Sequence, residues 1–242
     1  MLKSELSLGQ TRVGSALSTV GKLFVVATPI GNLSDITLRA IETLKSVDFI
    51  AAEDTRTSSI LLNHFGITKP MISFHSHSGT GRTREIIEKI SRGVSAALIT
   101  DAGTPGVSDP GYTLVRDAVE SGVEVVPVPG PTAFVAALSA SGLRTDRFLF
   151  EGFLPLKKGR HAKLRLLSAE TRTIVFYESP HRIEKTLREL STYFGDRRCF
   201  VARELTKIHE TFYRGTLSQI LNLIDRSERR GEFVIVVEGE GN

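Results

Sequence analysis

The sequence has very little cysteine and no tryptophan among its 242 residues. The single Cys199 excludes an internal disulfide and a metal cage built from several cysteines. Because Cys199 lies in the apolar run RRCFVA, we expect a buried core thiol and a reducing, cytoplasmic setting.

Long apolar runs are also lacking. None exceeds seven residues, whereas a helix that crosses a bilayer needs about 20, so no membrane partner is expected. Residues 1–21 are polar and small, without the apolar core of a secretory signal, and they predict a flexible N-terminal tail. The hydrophobic fraction of 40% and the charged fraction of 24% are typical of a packed protein.

Two common nucleotide-binding signatures are missing. The turn ATPIGN (27–32) follows the first apolar run but lacks the pattern G-x-G-x-x-G, and no G-x-x-x-x-G-K-[ST] occurs anywhere. These absences argue against a Rossmann dinucleotide site and a P-loop NTPase. The turn itself is either a simple connection or one side of a binding site for another ligand.

Positive charge is scarce in the first half and concentrated in the second. Residues 1–130 carry 12 Lys and Arg against 13 Asp and Glu, for a net charge of −1. Residues 131–242 carry 19 against 14, for a net charge of +5. The second half is therefore either a partner for an anionic molecule or a solvated basic face.

Apolar strand-like runs alternate with helical patterns over residues 22–130, which predicts a mostly parallel sheet with helices on both faces. The first helix is predicted over residues 33–47, with Ser34 or Asp35 as its N-terminal cap. The pattern changes at PVPGPTA, because neither a helix nor a central strand runs through two prolines flanking a glycine. We place a domain boundary there, around 128–132.

The second half, residues 131–242, also alternates strands and helices. The runs RCFVARE and HETFYRG are joined by only a few residues, so they are expected to pair antiparallel. A final helix is predicted over LSQILNLIDRSE (217–228), followed by the strand EFVIVVEG. The fold class is α/β, with an N-terminal parallel domain (22–130) and a C-terminal mixed domain (131–242).

The segment LITDAGTPGVSDPG (98–111) resembles the floor of a ligand site. Ligands of parallel sheets bind at the carboxyl ends of strands, and this segment follows the fourth one. Gly103 and Gly106 allow close backbone approach, while Asp101 and Thr104 offer oxygens that suit an amine or a ribose. Since no basic residue is present to neutralise a polyphosphate, the pattern favours a cationic or zwitterionic nucleoside such as S-adenosylmethionine.

Two further loops carry polar residues at the same predicted sheet edge. Glu53, Asp54 and Arg56 in AAEDTR suit either a structural salt bridge or a role at the cleft. His75 and His77 alternate in an extended stretch and point to one side. Because no third protein ligand is evident, hydrogen bonding to a substrate is favoured over metal binding.

Eight sequence blocks, in order along residues 22–239, resemble the signatures of the tetrapyrrole methylase superfamily. More narrowly, they are similar to its bacterial ribosomal RNA 2′-O-methyltransferase family. The blocks are TPIGNLSDITLRA, AAEDTR, TDAGTPGVSDPGY, VPVPGPTA, FLFEGFLP, FYESPHR, ARELTKIHE and GEFVIVVEG.

The resemblance implies two α/β domains with the cofactor cleft between them, and S-adenosyl-L-methionine as the cofactor. It places the first-half cofactor contacts at Ile30 and at five residues of the long loop: Asp101, Ala102, Gly103, Thr104 and Val107. Second-half contacts are implied at Thr132, Ala133, Tyr177, Ala202 and Phe233.

The resemblance also implies methylation of a cytidine ribose 2′-hydroxyl in 16S rRNA by a homodimer. Asp54, Glu178 and Glu204 are candidate bases, with Arg56 and Lys207 orienting them or binding phosphate; for each one a purely structural role stays open. The basic residues Lys157, Lys158 and Arg160 are predicted to contact RNA. Alternative functions are a corrinoid or diphthine-type methyltransferase and a non-catalytic RNA-binding module.

Overall fold

The structure is a computed structural model that describes residues 21–75, 80–224 and 230–241. The predicted tail, apart from Gly21, and His77 lie outside the described residues. Within the described residues, no helix combines the length and the apolar character required to cross a membrane.

The first sheet has five parallel strands in the order β3-β2-β4-β1-β5. The strands are β1 (Lys22–Val26), β2 (Phe49–Ala52), β3 (Met71–Ser73), β4 (Ala96–Ile99) and β5 (Glu124–Val128). The connecting helices are α1 (Leu38–Ser46), α2 (Thr55–His64), α3 (Thr80–Ser91) and α4 (Gly111–Glu120). Every residue of β2 and β4 is buried, as expected for central strands covered on both faces. The predicted parallel sheet is confirmed.

The first helix begins later than predicted. Residues Leu33–Asp35 form only a short 3-10 turn, and the chain becomes extended at Ile36 and Thr37 before α1 starts. The Thr37 hydroxyl accepts a hydrogen bond from the Ala40 amide, at 3.1 Å. Thr37 is therefore the cap of α1, and the prediction of Ser34 or Asp35 was wrong.

The second sheet is mixed, with the strand order β6-β7-β10-β8-β9. Its strands are β6 (Phe148–Phe153), β7 (Thr173–Glu178), β8 (Arg198–Arg203), β9 (Thr211–Thr216) and β10 (Phe233–Val237). The helices of this half are α5 (Ala133–Ser141), α6 (Arg160–Leu167), α7 (Ile183–Phe194) and α8 (Leu217–Leu223). Strands β8 and β9 pair antiparallel, as predicted. The predicted final helix is shorter than expected: it ends at Leu223, because Ile224 already has an extended backbone, and residues 225–228 of the prediction lie outside the described part.

The strand order places the ligand-binding edge of the first sheet. Strands β1 and β4 are neighbours, yet the chain leaves β1 toward β2 on one side and leaves β4 toward β5 on the other. A crevice opens at such a reversal, beyond the carboxyl ends of the two strands. The loops after Val26 and Ile99 therefore meet at this edge, and residues 129–132 lead from β5 to the second sheet. The domain boundary at this link stays a prediction.

Candidate active site

A cleft of about 510 Å³ lies between the two halves of the chain. Its first wall comes from the loops at the carboxyl edge of the parallel sheet, and its second wall comes from the link after β5 and from the second sheet. The first-half lining residues are Ile30, Glu53, Thr100, Asp101, Ala102, Gly103, Thr104, Val107, Ser108 and Asp109. The second-half lining residues are Thr132, Ala133, Phe153, Tyr177, Glu178, Ser179, Pro180, Leu205, Glu232, Phe233 and Val234.

Backbone pairing fixes the shelf that forms the first wall. The Thr28 and Gly103 backbones exchange two hydrogen bonds, of 2.9 and 3.1 Å. The buried Thr28 hydroxyl also donates to the Thr100 carbonyl, at 3.1 Å. Gly103 has a φ of +87°, a left-handed conformation that costs little free energy only in glycine. The loop after β4 is thereby held against the end of β1, and Gly103 lines the cleft.

Asp109 organises the remainder of the long loop. One of its carboxylate oxygens accepts hydrogen bonds from the Gly106 and Gly111 amides, both at 2.7 Å. Burial is the main cause that raises the pKa of Asp109 above its ordinary value. Ser108, just before it, has a φ of +62°, a backbone conformation that residues other than glycine rarely adopt. Such strain persists only where surrounding contacts hold the backbone, as Asp109 does here.

Two threonine hydroxyls join the long loop to the link after β5. The Thr104 hydroxyl donates to the Pro131 carbonyl at 3.1 Å and lies 2.7 Å from the Thr132 hydroxyl. Both threonines line the cleft. They therefore combine two functions: they connect the walls and they present polar oxygens to a ligand.

Aromatic residues build much of the second wall. The Tyr177 ring contacts Phe150 and Phe153 edge to face, with centroid distances of 5.1 and 5.6 Å. Its hydroxyl accepts a hydrogen bond from the Phe134 amide at 3.2 Å, which fixes the ring against the start of α5. Burial raises the pKa of the Tyr177 hydroxyl, so it stays neutral at physiological pH.

Acidic groups dominate the first wall. Burial raises the pKa of Asp101, and the neighbouring Glu53 carboxylate raises it further. Glu53 itself accepts a short hydrogen bond from the Thr100 hydroxyl. This wall is suited to a cationic ligand group, because a positive charge nearby would favour the charged form of the Asp101 carboxylate, which partial desolvation and Glu53 both disfavour.

The structure brings together ten of the eleven residues predicted to contact the cofactor. The residues that line the cleft as predicted are Ile30, Asp101, Ala102, Gly103, Thr104, Val107, Thr132, Ala133, Tyr177 and Phe233. Ala202 does not line the cleft. It is fully buried in β8, pairs with Val234 of β10, and packs in the core with Ile30 and Leu205. The structure thus removes Ala202 from the candidate wall, where Val234 and Leu205 lie instead.

Asp54 and Arg56 lie beside the cleft without lining it. Asp54 caps α2 by accepting a 2.8 Å hydrogen bond from the Arg56 amide, and the two side chains form an ion pair of 2.7 Å. The hydrogen bonds from Arg56 lower the Asp54 pKa to about 2. The Asp54 amide in turn donates to the Asp101 carboxylate, at 3.2 Å. This pair supports Asp101 and is a poor source of a catalytic base.

Glu178 reaches the cleft at the end of β7, but both of its carboxylate oxygens are already engaged. One accepts from the Ser179 amide at 2.7 Å and from Arg182 at 2.8 Å, and the other accepts from the Thr186 hydroxyl at 2.6 Å. The side chain is fully buried. Its contacts indicate that it holds the wall segment that begins at Ser179.

Arg160 belongs to the same buried network and does not face solvent. It donates to Glu189 at 2.7 Å, to Thr186 at 2.7 Å and to the Pro155 carbonyl at 3.0 Å. Only 3% of its side chain is exposed. The structure therefore corrects the expectation that Arg160 contacts RNA. Lys157 and Lys158 are exposed, and their contact with RNA stays a prediction.

Lys207 lies at the edge of the second wall between two carboxylates. Its ammonium group contacts Glu204 at 2.9 Å and Glu232 at 3.0 Å, and Glu232 lines the cleft. Burial alone would lower the Lys207 pKa and raise the Glu204 pKa. The mutual hydrogen bonds reverse both effects, so on balance the Lys207 pKa is raised and the Glu204 pKa is lowered. Both groups stay charged at neutral pH.

The two histidines do not form part of the described site. His75 is exposed and is not a lining residue of the cleft, and His77 lies outside the described residues. Within residues 21–75, 80–224 and 230–241, no three His, Cys, Asp or Glu side chains are grouped as metal ligands would be.

Sequence reasoning missed several lining residues. Ser108 and Asp109 were within the predicted floor segment but were not singled out. Five further lining residues were missed, because their position at the cleft depends on how the second sheet packs. They are Phe153, Ser179, Pro180, Leu205 and Glu232. One signal was available: Gly152, inside a strand pattern, is typical of a bulge that re-aims its neighbours.

Comparison with known proteins gives consistent results. Residues 22–221 match the family described as Tetrapyrrole (Corrin/Porphyrin) Methylases. A relative from Synechocystis, named ribosomal RNA small subunit methyltransferase I, is 53% identical over 91% of this chain and 80% of its own length. A Thermotoga maritima relative with the same name is 46% identical over 91% of this chain and all of its own length.

A solved structure shares the fold. Uroporphyrin-III C-methyl transferase from Thermus thermophilus, complexed with S-adenyl homocysteine, aligns with a TM-score of 0.64 at 19% identity. The alignment covers 91% of this chain and 98% of that one. With the family match over residues 22–221 and relatives at about half identity, this chain belongs to the tetrapyrrole methylase family.

Proposed function

We propose that this protein transfers a methyl group from S-adenosyl-L-methionine to a cytidine ribose 2′-hydroxyl in the 16S rRNA of the small ribosomal subunit. The observation that carries the proposal is the 46–53% identity, over 91% of the chain, to relatives named ribosomal RNA small subunit methyltransferase I. The cleft between the two sheets supports it, because it combines an open backbone shelf with carboxylates and hydroxyls.

The residues of the first wall fit the methyl donor. The Gly103 shelf admits a flat group close to the backbone, and Ile30 provides an apolar surface nearby. Thr104 and Thr132 offer hydroxyls for a ribose or an amino-acid carboxylate. Asp101, whose carboxylate has a raised pKa beside Glu53, suits an ammonium or sulfonium charge.

When bound, S-adenosylmethionine supplies a methyl group on a positively charged sulfur. The protein contributes mainly geometry, since an in-line displacement needs the acceptor oxygen about 3–3.5 Å from the carbon it attacks. Asp109 and the Thr28–Gly103 pairing hold the donor shelf. Glu178 holds the opposite wall through Ser179.

The five residues named as candidate bases or as their partners are assigned supporting functions in this proposal. Asp54 and Arg56 orient Asp101, and Lys207 orients the cleft-lining Glu232. Glu178 positions the segment Ser179–Pro180. The carboxylates of Asp54, Glu178 and Glu204 are all hydrogen-bonded within the protein, so the proposal depends on positioning more than on a strong base.

The acceptor RNA is expected to approach from the second half. This half has the positive charge, +5 over residues 131–242. Lys157 and Lys158 are exposed and follow β6 in the chain, whose last residue, Phe153, lines the cleft. Cationic side chains near a cleft bind phosphates and make the affinity depend on salt. We place this activity in the cytoplasm.

We also propose a homodimer. Helix α5 is apolar almost throughout, yet 51% of Val135 is exposed, and large apolar side chains remain exposed on both edge strands of the second sheet, at Phe148 and Phe212. A second copy that covers this surface would remove it from water. Analytical ultracentrifugation of the purified protein tests this; a monomer at micromolar concentration would contradict it.

The direct test of the function is mass mapping of rRNA methylation in cells with and without this gene. We expect one ribose methyl group on a cytidine of 16S rRNA to disappear in the deletion strain and to return with the wild-type gene. A copy with Gly103→Val serves as the control for the cleft and is expected not to restore it. An unchanged methylation map would contradict the proposal, and it would leave a corrinoid or diphthine-type substrate or a non-catalytic role.

A further inference from the structure

We propose that Phe153 is the stacking platform for the nucleobase of the acceptor nucleotide. This inference rests on the proposed function, because it takes an RNA nucleotide as the acceptor. It assigns a substrate-binding function to a residue that was not among the predicted cofactor contacts or catalytic residues.

Phe153 combines two properties that rarely occur together in a packed protein. It lines the cleft, and 52% of its surface is exposed. An exposed large aromatic ring costs free energy in water, so a cleft that keeps one open suits a ligand with a flat apolar face. Unstacked bases of single-stranded RNA are bound in this way, on aromatic side chains.

A β-bulge places Phe153 on the cleft side of its sheet. Phe150 pairs with Val175 of β7, but the register then shifts, so that Phe153 pairs with Tyr177. In a regular strand, residues three apart point to opposite faces. The extra residue in the bulge brings Phe150 and Phe153 to the same face, where both contact Tyr177. Bulges re-aim side chains in this way beside active sites.

The bulge is built into a close contact between the two halves. Gly152 has a φ of +69°, and a side chain at this position would place its Cβ 2.8 Å from the Ser108 hydroxyl. Ser108 belongs to the long loop of the first wall and is itself left-handed. The orientation of Phe153 is therefore coupled to the loop that forms the proposed donor site.

The segment after Phe153 is anchored and carries positive charge. Arg182 donates to the Leu154 carbonyl at 3.2 Å, and Arg160 donates to the next carbonyl, Pro155, at 3.0 Å. Lys157 and Lys158 follow on the exposed part of this anchored segment. A stacking ring with cations a few residues away is the arrangement that proteins use to bind a base and its flanking phosphates.

The first test compares variants in methyl transfer to small ribosomal subunits from cells that lack this gene, with methyl-tritiated S-adenosylmethionine. Phe153→Ala and Phe153→Leu are expected to lower kcat/KM for the subunits about 5- to 150-fold, because each loses an aromatic stack. Phe153→Trp keeps a stacking ring and is expected to stay near wild type. Leu166→Ala, at an exposed apolar residue of α6 outside the cleft, is the matched control and should change nothing.

A second test reports stacking itself. Because the natural chain has no tryptophan, Phe153→Trp creates a single tryptophan, which can be excited selectively at about 295 nm, beyond the main absorption of the four tyrosines. We expect its emission to be quenched when the RNA of small subunits binds, whereas the emission of a Leu166→Trp control stays constant. Calorimetry with S-adenosylmethionine should give the same Kd for wild type, Phe153→Ala and Phe153→Leu, which shows that the donor site and the fold are intact.

Each contrary result is distinct. If wild type methylates the subunits and Phe153→Ala does so equally well, the inference is overturned and the proposed function stands. If Phe153→Ala loses donor affinity as much as activity, Phe153 belongs to the donor site and the inference is again overturned. If wild type transfers no methyl group to the subunits, both the proposed function and the inference fail.

Discussion

The backbones of Thr28 and Gly103 exchange two hydrogen bonds, of 2.9 and 3.1 Å, and this pairing ties together the loops that follow β1 and β4. The two strands are neighbours at the point where the sheet order reverses. The pairing thus converts a crevice, which the topology provides, into a fixed shelf with an open backbone. We infer that this shelf holds the methyl donor.

Enlarging Gly103 tests the shelf. Gly103→Val is expected to lower the affinity for S-adenosylmethionine by about tenfold or more, because the new side chain occupies the surface that the ligand approaches. It should also lower the free energy of unfolding by about 1–2 kcal/mol, since a φ of +87° is unfavourable for a side chain. Isothermal titration calorimetry and denaturant unfolding measure the two effects.

Gly122 provides the control for this experiment. It follows α4 with a φ of +74°, and a Cβ there meets nothing within 4 Å. Gly122→Val should therefore lose a similar stability for the same backbone reason while keeping its donor affinity. Equal losses of affinity in both variants would mean that destabilisation, and not the shelf, controls binding.

Asp101→Asn is expected to raise the stability of the fold at neutral pH and to lower the affinity for the donor. Because burial raises the pKa of Asp101 in the folded protein, its contribution to stability is present below the unfolded pKa, near 3.8, and is lost as the pH rises through the raised value. The Asn variant should therefore gain stability relative to wild type as the pH rises from 3 to 7. It should also bind the donor about tenfold more weakly at pH 7, since a charge-assisted hydrogen bond is lost. Thermal unfolding across pH and calorimetry check both; a variant less stable than wild type at pH 7 would contradict the electrostatic argument.

Substitutions of Arg160 and Lys158 are expected to affect different properties: the first lowers the stability of the fold, and the second changes RNA binding. Arg160→Ala breaks a buried network with Glu189 and Thr186, so we expect a loss of about 3 kcal/mol in the free energy of unfolding. Lys158→Ala, on the exposed segment, should alter stability by less than about 0.5 kcal/mol. Only Lys158→Ala should flatten the salt dependence of RNA binding, by about 0.7 in the slope for each lost phosphate contact. A normal salt slope in Lys158→Ala would remove this lysine from the RNA interface.

Lys207→Met is expected to destabilise the protein in a pH-dependent manner. The lysine lowers the Glu204 pKa, so its contribution is present above the ordinary Glu value of 4.5 and is lost as the pH falls through the lowered one. We expect a deficit of about 1 kcal/mol at pH 7 that shrinks toward pH 3. Urea unfolding at several pH values measures it, with Lys158→Met as the control. A deficit independent of pH would indicate lost packing instead of a lost ion pair.

Much of the fold could be predicted from the sequence, because apolar periodicity and glycine stops are local signals. The parallel order of the first half and the antiparallel pair of β8 and β9 followed from runs of buried residues and from loop length. The site loop was recognisable for a similar reason, since its glycines, hydroxyls and carboxylates lie in one continuous segment, 98–111.

The remaining features depend on contacts between distant residues. The burial of Arg160 is decided by Glu189 and Thr186, which lie 26 to 29 residues further along the chain. Ala202 is removed from the cleft by the packing of α5 on the second sheet. The face of the sheet on which the Phe153 side chain lies depends on a register shift against β7. None of these relations leaves a local sequence signal beyond the glycine at 152.

The position of the donor can be seen in a crystal structure of the protein bound to S-adenosylhomocysteine. We expect the ligand to lie on the shelf, with its atoms in van der Waals contact with the Gly103 and Thr104 backbone and with Ile30 at its side. A ligand bound elsewhere, or a shelf closed by the protein's own side chains, would show that the shelf does not hold the donor.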